Sequence, residues 1–154
     1  MSAGTLTYGI NDAIAAGAVT VSGGTFNFVS FTDTVGTVTL TSGTITGSSG
    51  ILTGTSYAVE SGTISGILAG AVTLTKTTAG TVTITSANTY TGATTVSAGV
   101  LNIQNATATG TTAGGISVTA GAALQIQGGI TVGTEALTLN GDGVSSDGDR
   151  KSVV

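Results

Sequence analysis

Four acidic side chains in the body of this 154-residue chain are the first residues whose chemistry could define a function. They are Asp12, Asp33, Glu60 and Glu135. Cleavage of a glycosidic bond by paired carboxylic acids needs two carboxyl groups about 5–9.5 Å apart across the substrate. The wide spacing of these acids along the chain instead predicts solvated surface or turn residues. We therefore predict no catalytic residue and no enzyme activity.

Metal, cofactor and nucleic-acid chemistry lack their usual residues. The chain has no histidine and no cysteine, the side chains that bind zinc, haem and iron–sulfur clusters. Three basic residues and a net charge of −4 cannot form the cationic surface that a phosphate backbone requires. We predict no metal, no cofactor and no nucleic-acid partner. The longest apolar run, residues 13–19, is far shorter than the ~20 residues that cross a bilayer, so we also predict no membrane insertion by this segment.

The segment NGDGVSSDGD, residues 140–149, is weakly similar to a calcium-binding loop. Asp142, Asp147 and Asp149 would supply its carboxylate oxygens. The spacing is neither that of an EF-hand nor that of the glycine-rich nonapeptides of calcium-binding solenoids. We predict a flexible terminus here and no metal site.

Glycine recurs at a regular interval in the elements that would have to position any site. VTVSGGTFNF (19–28), VTLTSGTITG (38–47) and YAVESGTISG (57–66) all read apolar-x-apolar-x-x-Gly-x-apolar. The first steps of the series are 19 residues long, and the later steps vary. A turn between strands often needs a positive φ, which glycine adopts at little cost, so each of these glycines predicts a corner. The series is Gly24, Gly43, Gly62, Gly80, Gly99 and Gly121.

Within each unit, apolar residues alternate with threonine or another polar residue. Alternate side chains of a strand point to opposite faces of a sheet. We therefore predict that the apolar residues share one inward face and that the threonines between them share one outward face. The apolar pairs are Val19 and Val21, Val38 and Leu40, Val72 and Leu74, and Val82 and Ile84.

Strands this short cannot bury an apolar face alone, so successive units must stack on one another, as in a solenoid. A repeat of about 19–22 residues fits one coil of a parallel β-helix, in which coils are about 4.8 Å apart. The predicted fold is therefore all-β, a single-stranded parallel β-helix.

A longer repeat lies on top of the short one. MSAGTL at residues 1–6 matches VSAGVL at residues 96–101. We predict a β-helix segment over residues 1–148 that belongs to a longer array, with a 95-residue block from residue 1 and a partial second copy from residue 96. Residues 149–154, DRKSVV, hold two of the three basic residues and are predicted to be a non-native tail.

Residues 74–103, LTKTTAGTVTITSANTYTGATTVSAGVLNI, closely resemble the autotransporter-associated β-strand repeat, also called the passenger-associated transport repeat. One departure is Ala93, where the family usually carries a second glycine. The resemblance implies a right-handed parallel β-helix in a secreted passenger region, a role in efficient export, and no catalytic residue. The shared residues are Leu74, Lys76, Gly80, Thr81, Ala87, Asn88, Thr89, Tyr90, Gly92, Thr94, Thr95, Val96, Ala98, Gly99 and Leu101.

On this basis we expect a structural stalk segment of a large bacterial autotransporter-like protein, secreted or displayed at the cell surface by a parent anchored in the outer membrane. The segment would support export and the display of adhesive modules. Its direct partners would be the neighbouring coils of its own parent chain, and surface glycans or host-cell ligands would be reached only through other modules.

An ice-binding solenoid is the first alternative. Stacked coils would align Thr-x-Thr segments into ladders of hydroxyl groups, and such segments occur at residues 37–41, 73–75 and 81–85. Other sequences interrupt the series and disfavour this function: YAVES (57–61), GISVT (115–119) and LQIQ (124–127).

A carbohydrate-active or carbohydrate-binding β-helix is the second alternative. Cleavage of an acidic polysaccharide usually needs clustered acids or a basic group that stabilises developing charge. Lys76 is the one basic residue outside residues 150–151, which disfavours catalysis. Tyr90, in ANTYTG (87–92), would contact glycans if it lay exposed in a loop; we expect instead that it packs over the coil and that Asn88 hydrogen-bonds its own backbone in the turn.

Overall fold

The computed structural model describes residues 3–140 and 143–144 of the chain. Regular secondary structure in these residues consists of fifteen β-strands and no α-helix. Within the described ranges, no helix has the length and apolar character needed to span a membrane. The strands are β1 (Thr5–Thr7), β2 (Val19–Asn27), β3 (Asp33–Thr34), β4 (Thr37–Thr46), β5 (Ile51–Thr53), β6 (Ser56–Val59), β7 (Gly62–Ile64), β8 (Ile67–Ala69), β9 (Leu74–Lys76), β10 (Thr81–Ile84), β11 (Thr94–Val96), β12 (Gly99–Ile103), β13 (Ile116–Val118), β14 (Ala122–Ile126) and β15 (Leu137–Leu139).

All pairings between these strands are parallel, and the chain winds through about seven turns of a β-solenoid. Face A contains the first halves of β2 and β4 and then β6, β9, β11, β13 and β15. Face B contains β1, the second halves of β2 and β4, and then β7, β10, β12 and β14. Face C is a short sheet of β3, β5 and β8. The predicted all-β parallel solenoid is confirmed.

The length of a coil varies slightly more than the predicted 19–22 residues. Tyr57 is in register with Leu74, 17 positions later, whereas Leu101 is in register with Leu124, 23 positions later. The longer coil contains no strand between residues 104 and 115, so the extra residues lie in its turns. Insertions are tolerated there because surface loops lengthen at little free-energy cost.

The inward residues of neighbouring coils form continuous ladders. On face B, one ladder pairs Phe26 with Ile45, Ile64, Ile84 and Ile103, all of them fully buried. Burial of one such side chain stabilises the fold by about 1.5–3 kcal/mol. Since each coil contributes several, stacking rather than any single strand holds the chain together.

Glycine marks the corner between faces A and B, as predicted. Gly43 and Gly62 have φ values of +95° and +116°, and a Cβ on either would overlap the carbonyl oxygen of the glycine stacked beneath it. Two positions differ in detail. In the first of these coils the positive φ belongs to Gly23 (+133°) rather than Gly24, and Gly80 has no positive φ. Its missing Cβ is still required, because it would lie 2.8 Å from the Cβ of Ser61.

The prediction that the apolar pairs share one face is wrong. Val38 and Leu40 lie on face A, but Val82 and Ile84 lie on face B. Val72 is half-buried and precedes β9, in which the inward residues are Leu74 and Lys76. A period of two residues specifies inward and outward positions on any strand but does not distinguish one face from the next.

Candidate functional site

The predicted acidic residues do not share one environment. Asp12 lies exposed in a turn, where its φ is +49°. Asp33 is fully buried, which contradicts the predicted solvated position. One of its carboxylate oxygens accepts a hydrogen bond of 3.0 Å from the backbone N–H of Ile14, one coil away. Burial, followed by the adjacent Asp33 carboxylate, raises the pKa of Tyr8. Asp33 therefore ties the N-terminal turn to the next coil.

Glu135 is half-buried and lies several coils from Asp33 along the stack. Its Oε2 accepts a hydrogen bond of 2.8 Å from the Thr109 hydroxyl, while its buried Oε1 has no partner among the described residues. Burial raises the pKa of this carboxyl group, and the Thr109 hydrogen bond opposes that shift. Glu60 is half-buried next to the corner glycine Gly62.

The calcium-like acids Asp142, Asp147 and Asp149 lie outside the described residues, as do Met1 and the predicted tail, residues 149–154. Across the ranges that the structure describes, no three acidic side chains gather closely enough to hold a metal ion.

Lys76 has the least expected environment, because its side chain is fully buried. It points inward from face A, in register with Val59 on one neighbouring coil and Val96 on the other. Its ammonium group donates hydrogen bonds to the carbonyl oxygens of Thr78 and Ala98, the latter 3.1 Å away and one coil further on. Burial lowers the pKa of Lys76 from its usual 10.5, and the negative charge of Glu60 opposes that shift. The side chain therefore joins two coils at the corner.

This burial predicts a pH-dependent stability. The folded protein holds the pKa of Lys76 below its ordinary value, so between the two values the unfolded chain binds more protons than the folded chain. The contribution of Lys76 to the free energy of unfolding therefore rises as pH increases toward 10.5. We expect urea unfolding of the wild-type chain and of Lys76→Met to show a difference in free energy that moves in favour of the wild type across this range. The buried tyrosines are common to both chains and cancel, so parallel pH profiles would contradict the assignment.

Asn88 is a second buried polar residue that joins coils. Its Oδ1 accepts a hydrogen bond of 2.9 Å from the N–H of Leu68, and its Nδ2 donates one of 2.6 Å to the carbonyl oxygen of Ala108. The predicted bond to its own turn is wrong: Asn88 is sandwiched between the preceding and following coils, about 20 residues away in each direction.

Tyr90 is fully buried, which confirms that it packs over the coil and contradicts the exposed, glycan-contacting position. Its hydroxyl oxygen lies 2.7 Å from Thr94 Oγ1, and its ring centroid lies 5.9 Å from that of Tyr57. Burial raises the pKa of Tyr90.

Tyr57 has a role that the sequence analysis missed. Its hydroxyl group accepts a hydrogen bond of 2.9 Å from the N–H of Gly54 and lies 2.7 Å from the carbonyl oxygens of both Leu52 and Ala69. It thereby satisfies backbone groups of β5 and β8 on face C. The signal for it was the replacement, by tyrosine, of the apolar residue found at this position in the neighbouring units.

The outward side of face B carries two rows of polar side chains in register. Row 1 is Thr5, Thr25, Thr44, Thr63 and Thr83. Row 2 is Thr7, Asn27, Thr46, Ser65 and Thr85, in which the hydroxyl of Ser65 donates to that of Thr46 over 2.8 Å. Both rows continue as an amide ladder, in which Asn102 donates to Gln125 over 3.2 Å.

These rows correct the argument about interrupted threonine ladders. Residues 57–61 begin on face A, as β6, and β13 within residues 115–119 also belongs to face A. Residues 124–127 do lie on face B, but only in the last coil described there. The first five coils of face B therefore have an unbroken row of threonines.

The buried polar side chains thus have one common use: they satisfy backbone groups of the same or a neighbouring coil. Together with the glycine corners, this defines a β-solenoid whose polar residues serve stacking. Residues 74–103 match the model of the passenger-associated-transport-repeat family. The match confirms the resemblance predicted from the same residues. No curated protein and no solved structure matches the chain.

The matched segment contains Lys76, Asn88, Tyr90, Thr94 and Gly99, all of which are buried in the stack. The repeat and the solenoid fold together fit a segment of an autotransporter passenger, a kind of region that is secreted or displayed at the cell surface.

Proposed function

We propose that this chain is a stalk segment in the passenger region of a large bacterial surface protein, whose parent is anchored in the outer membrane. Stacked coils would hold adhesive modules away from the cell and support export of the passenger. The observation that carries the proposal is that the matched segment, residues 74–103, uses its characteristic residues to join one coil to the next.

The contacts favour a mechanical role in two ways. Hydrogen bonds from Lys76 and Asn88 reach residues about 20 positions away, that is, the adjacent coil. In such a quasi-one-dimensional array, folding can begin in one coil and propagate to its neighbour. A passenger that folds coil by coil outside the cell would resist sliding back and would thereby assist export.

The proposal includes no catalytic activity and no cofactor for this segment. Its direct partners would be the preceding and following coils of the parent chain, with no nucleic acid and no membrane insertion. Glycans or host-cell ligands would be bound by other modules. The burial of Tyr90 supports this division, because no ring of the matched segment is left available for sugar stacking.

The register of the coils allows a direct test. Thr44 and Thr63 occupy equivalent positions on successive coils, so deleting residues 44–62 removes one coil and keeps every later residue in its place. Deleting residues 44–53 from the same point removes about half a coil and shifts inward residues out of register. Each chain would be inserted between a reporter module and a translocating anchor in a bacterial host, and the reporter at the cell surface would be quantified.

We expect the one-coil deletion to preserve surface display and to shorten the purified chain by about 4.8 Å in X-ray scattering. The half-coil deletion should lose most of the display, because its apolar residues turn outward. Equal display from both deletions, or loss of display from the one-coil deletion, would contradict the stalk function.

A further inference from the structure

Row 1 and row 2 form a regular two-dimensional array on face B. The residues between the two rows, such as Phe26, Ile45 and Ile64, are fully buried, so the row residues point away from the core. Neighbouring strands place the members of one row about 4.8 Å apart, and residues i and i+2 of one strand lie about 6.6 Å apart. Parallel pairing through the first five coils therefore sets hydroxyl groups on a repeating grid.

The row 1 hydroxyl groups are available to solvent. Within the part of the chain that the structure describes, no protein hydrogen bond engages the side-chain hydroxyl of Thr25, Thr44, Thr63 or Thr83. Each threonine also presents a methyl group, next to which water is orientationally restricted. The grid thus combines regularly spaced hydrogen-bonding groups with regularly spaced apolar groups.

Other surface ligands fit this face poorly. The described strands of face B contain no charged side chain, so ionic ligands have no counter-charge there. Sugar rings usually bind on exposed aromatic faces, but five of the six aromatic side chains are buried and Phe31 is half-buried outside this face. A lattice of water is a ligand that needs neither charge nor aromatic rings.

We propose that row 1 and row 2 of face B bind the surface of ice. The oxygen atoms of hexagonal ice repeat at distances close to the two spacings of the grid, so waters held by the hydroxyl groups match the crystal. The bound class of ligand is crystalline water, and the sites are the outward threonines of the first five coils, centred on Thr63. This function is independent of the stalk function, since it depends on the outer surface and not on display.

The test uses the purified 154-residue chain, with thermal hysteresis and the share of protein taken into slowly grown ice as the two measurements. Thr63→Lys places a long charged side chain at the centre of row 1. Thr75→Lys is the matched control, because Thr75 is an equally half-buried, outward threonine on face A. Thr63→Val removes only the hydroxyl group and keeps the side-chain shape. Circular dichroism of all four chains establishes that they are folded.

We expect the wild type and Thr75→Lys to show hysteresis and enrichment in ice, Thr63→Lys to lose most of both, and Thr63→Val to lose a smaller part. A folded wild-type chain without hysteresis and without enrichment would overturn the proposal. Equal losses from Thr63→Lys and Thr75→Lys would also overturn it. Binding to crystalline cellulose or chitin without hysteresis would overturn it in favour of a polysaccharide surface.

Discussion

Replacing Gly62 with alanine is expected to lower the free energy of unfolding by about 2–6 kcal/mol, from backbone strain and overpacking of similar size. Gly62 has a φ of +116°, a conformation that a residue with a Cβ adopts only with strain. The added Cβ would also overlap the carbonyl oxygen of Gly43 in the adjacent coil. Since the coils cannot approach at their normal spacing around that atom, the damage reaches both of them. Urea unfolding followed by circular dichroism measures the loss.

Gly121→Ala is the matched control for this substitution. Gly121 also has a positive φ, +79°, but no atom lies within 4 Å of the position that its Cβ would occupy. Only the strain term applies there, so we expect a loss of about 1 kcal/mol. Equal losses at Gly62 and Gly121 would contradict the conclusion that close stacking of coils, in addition to φ, requires glycine at the corner.

Replacing Asn88 with alanine is expected to lower the free energy of unfolding by about 2–5 kcal/mol, because two buried backbone groups lose their partners. These are the N–H of Leu68 and the carbonyl oxygen of Ala108, on the coils before and after Asn88. Neither group can turn to water while the coils remain stacked. Hydrogen exchange offers a local measurement, and the amide of Leu68 should lose protection more than amides of the first coils.

Asn105→Ala supplies the matched control. The Oδ1 of Asn105 also accepts a backbone hydrogen bond, 3.0 Å from the N–H of Thr107, but that bond is exposed and stays within one turn. Water can replace it, so the expected loss is about 0.5–1 kcal/mol. If the two substitutions destabilise the chain equally, Asn88 is an ordinary turn residue and does not join coils.

The sequence by itself determined the elements and their parallel stacking. Alternation such as Val38, Thr39, Leu40 specifies a strand with one apolar side, and three residues cannot bury that side without a neighbour. The spacing of Gly43 and Gly62 fixed the length of a coil, because only glycine tolerates the φ of the corner. The matched repeat, residues 74–103, was also identifiable from residue types alone. These features are local, so a single sequence contains them.

Only the tertiary structure decided which polar residues lie inside and which threonines share a face. Lys76 and Thr75 are neighbours in one strand, yet Lys76 is buried and joins two coils while Thr75 points outward. Asn88 bonds to residues 20 positions away rather than to its own turn. Faces A and B have the same two-residue alternation, so their membership depends on where the chain turns. A solenoid places partners one coil apart, and the varying coil length, 17–23 residues here, hides those partners from any fixed spacing in the sequence.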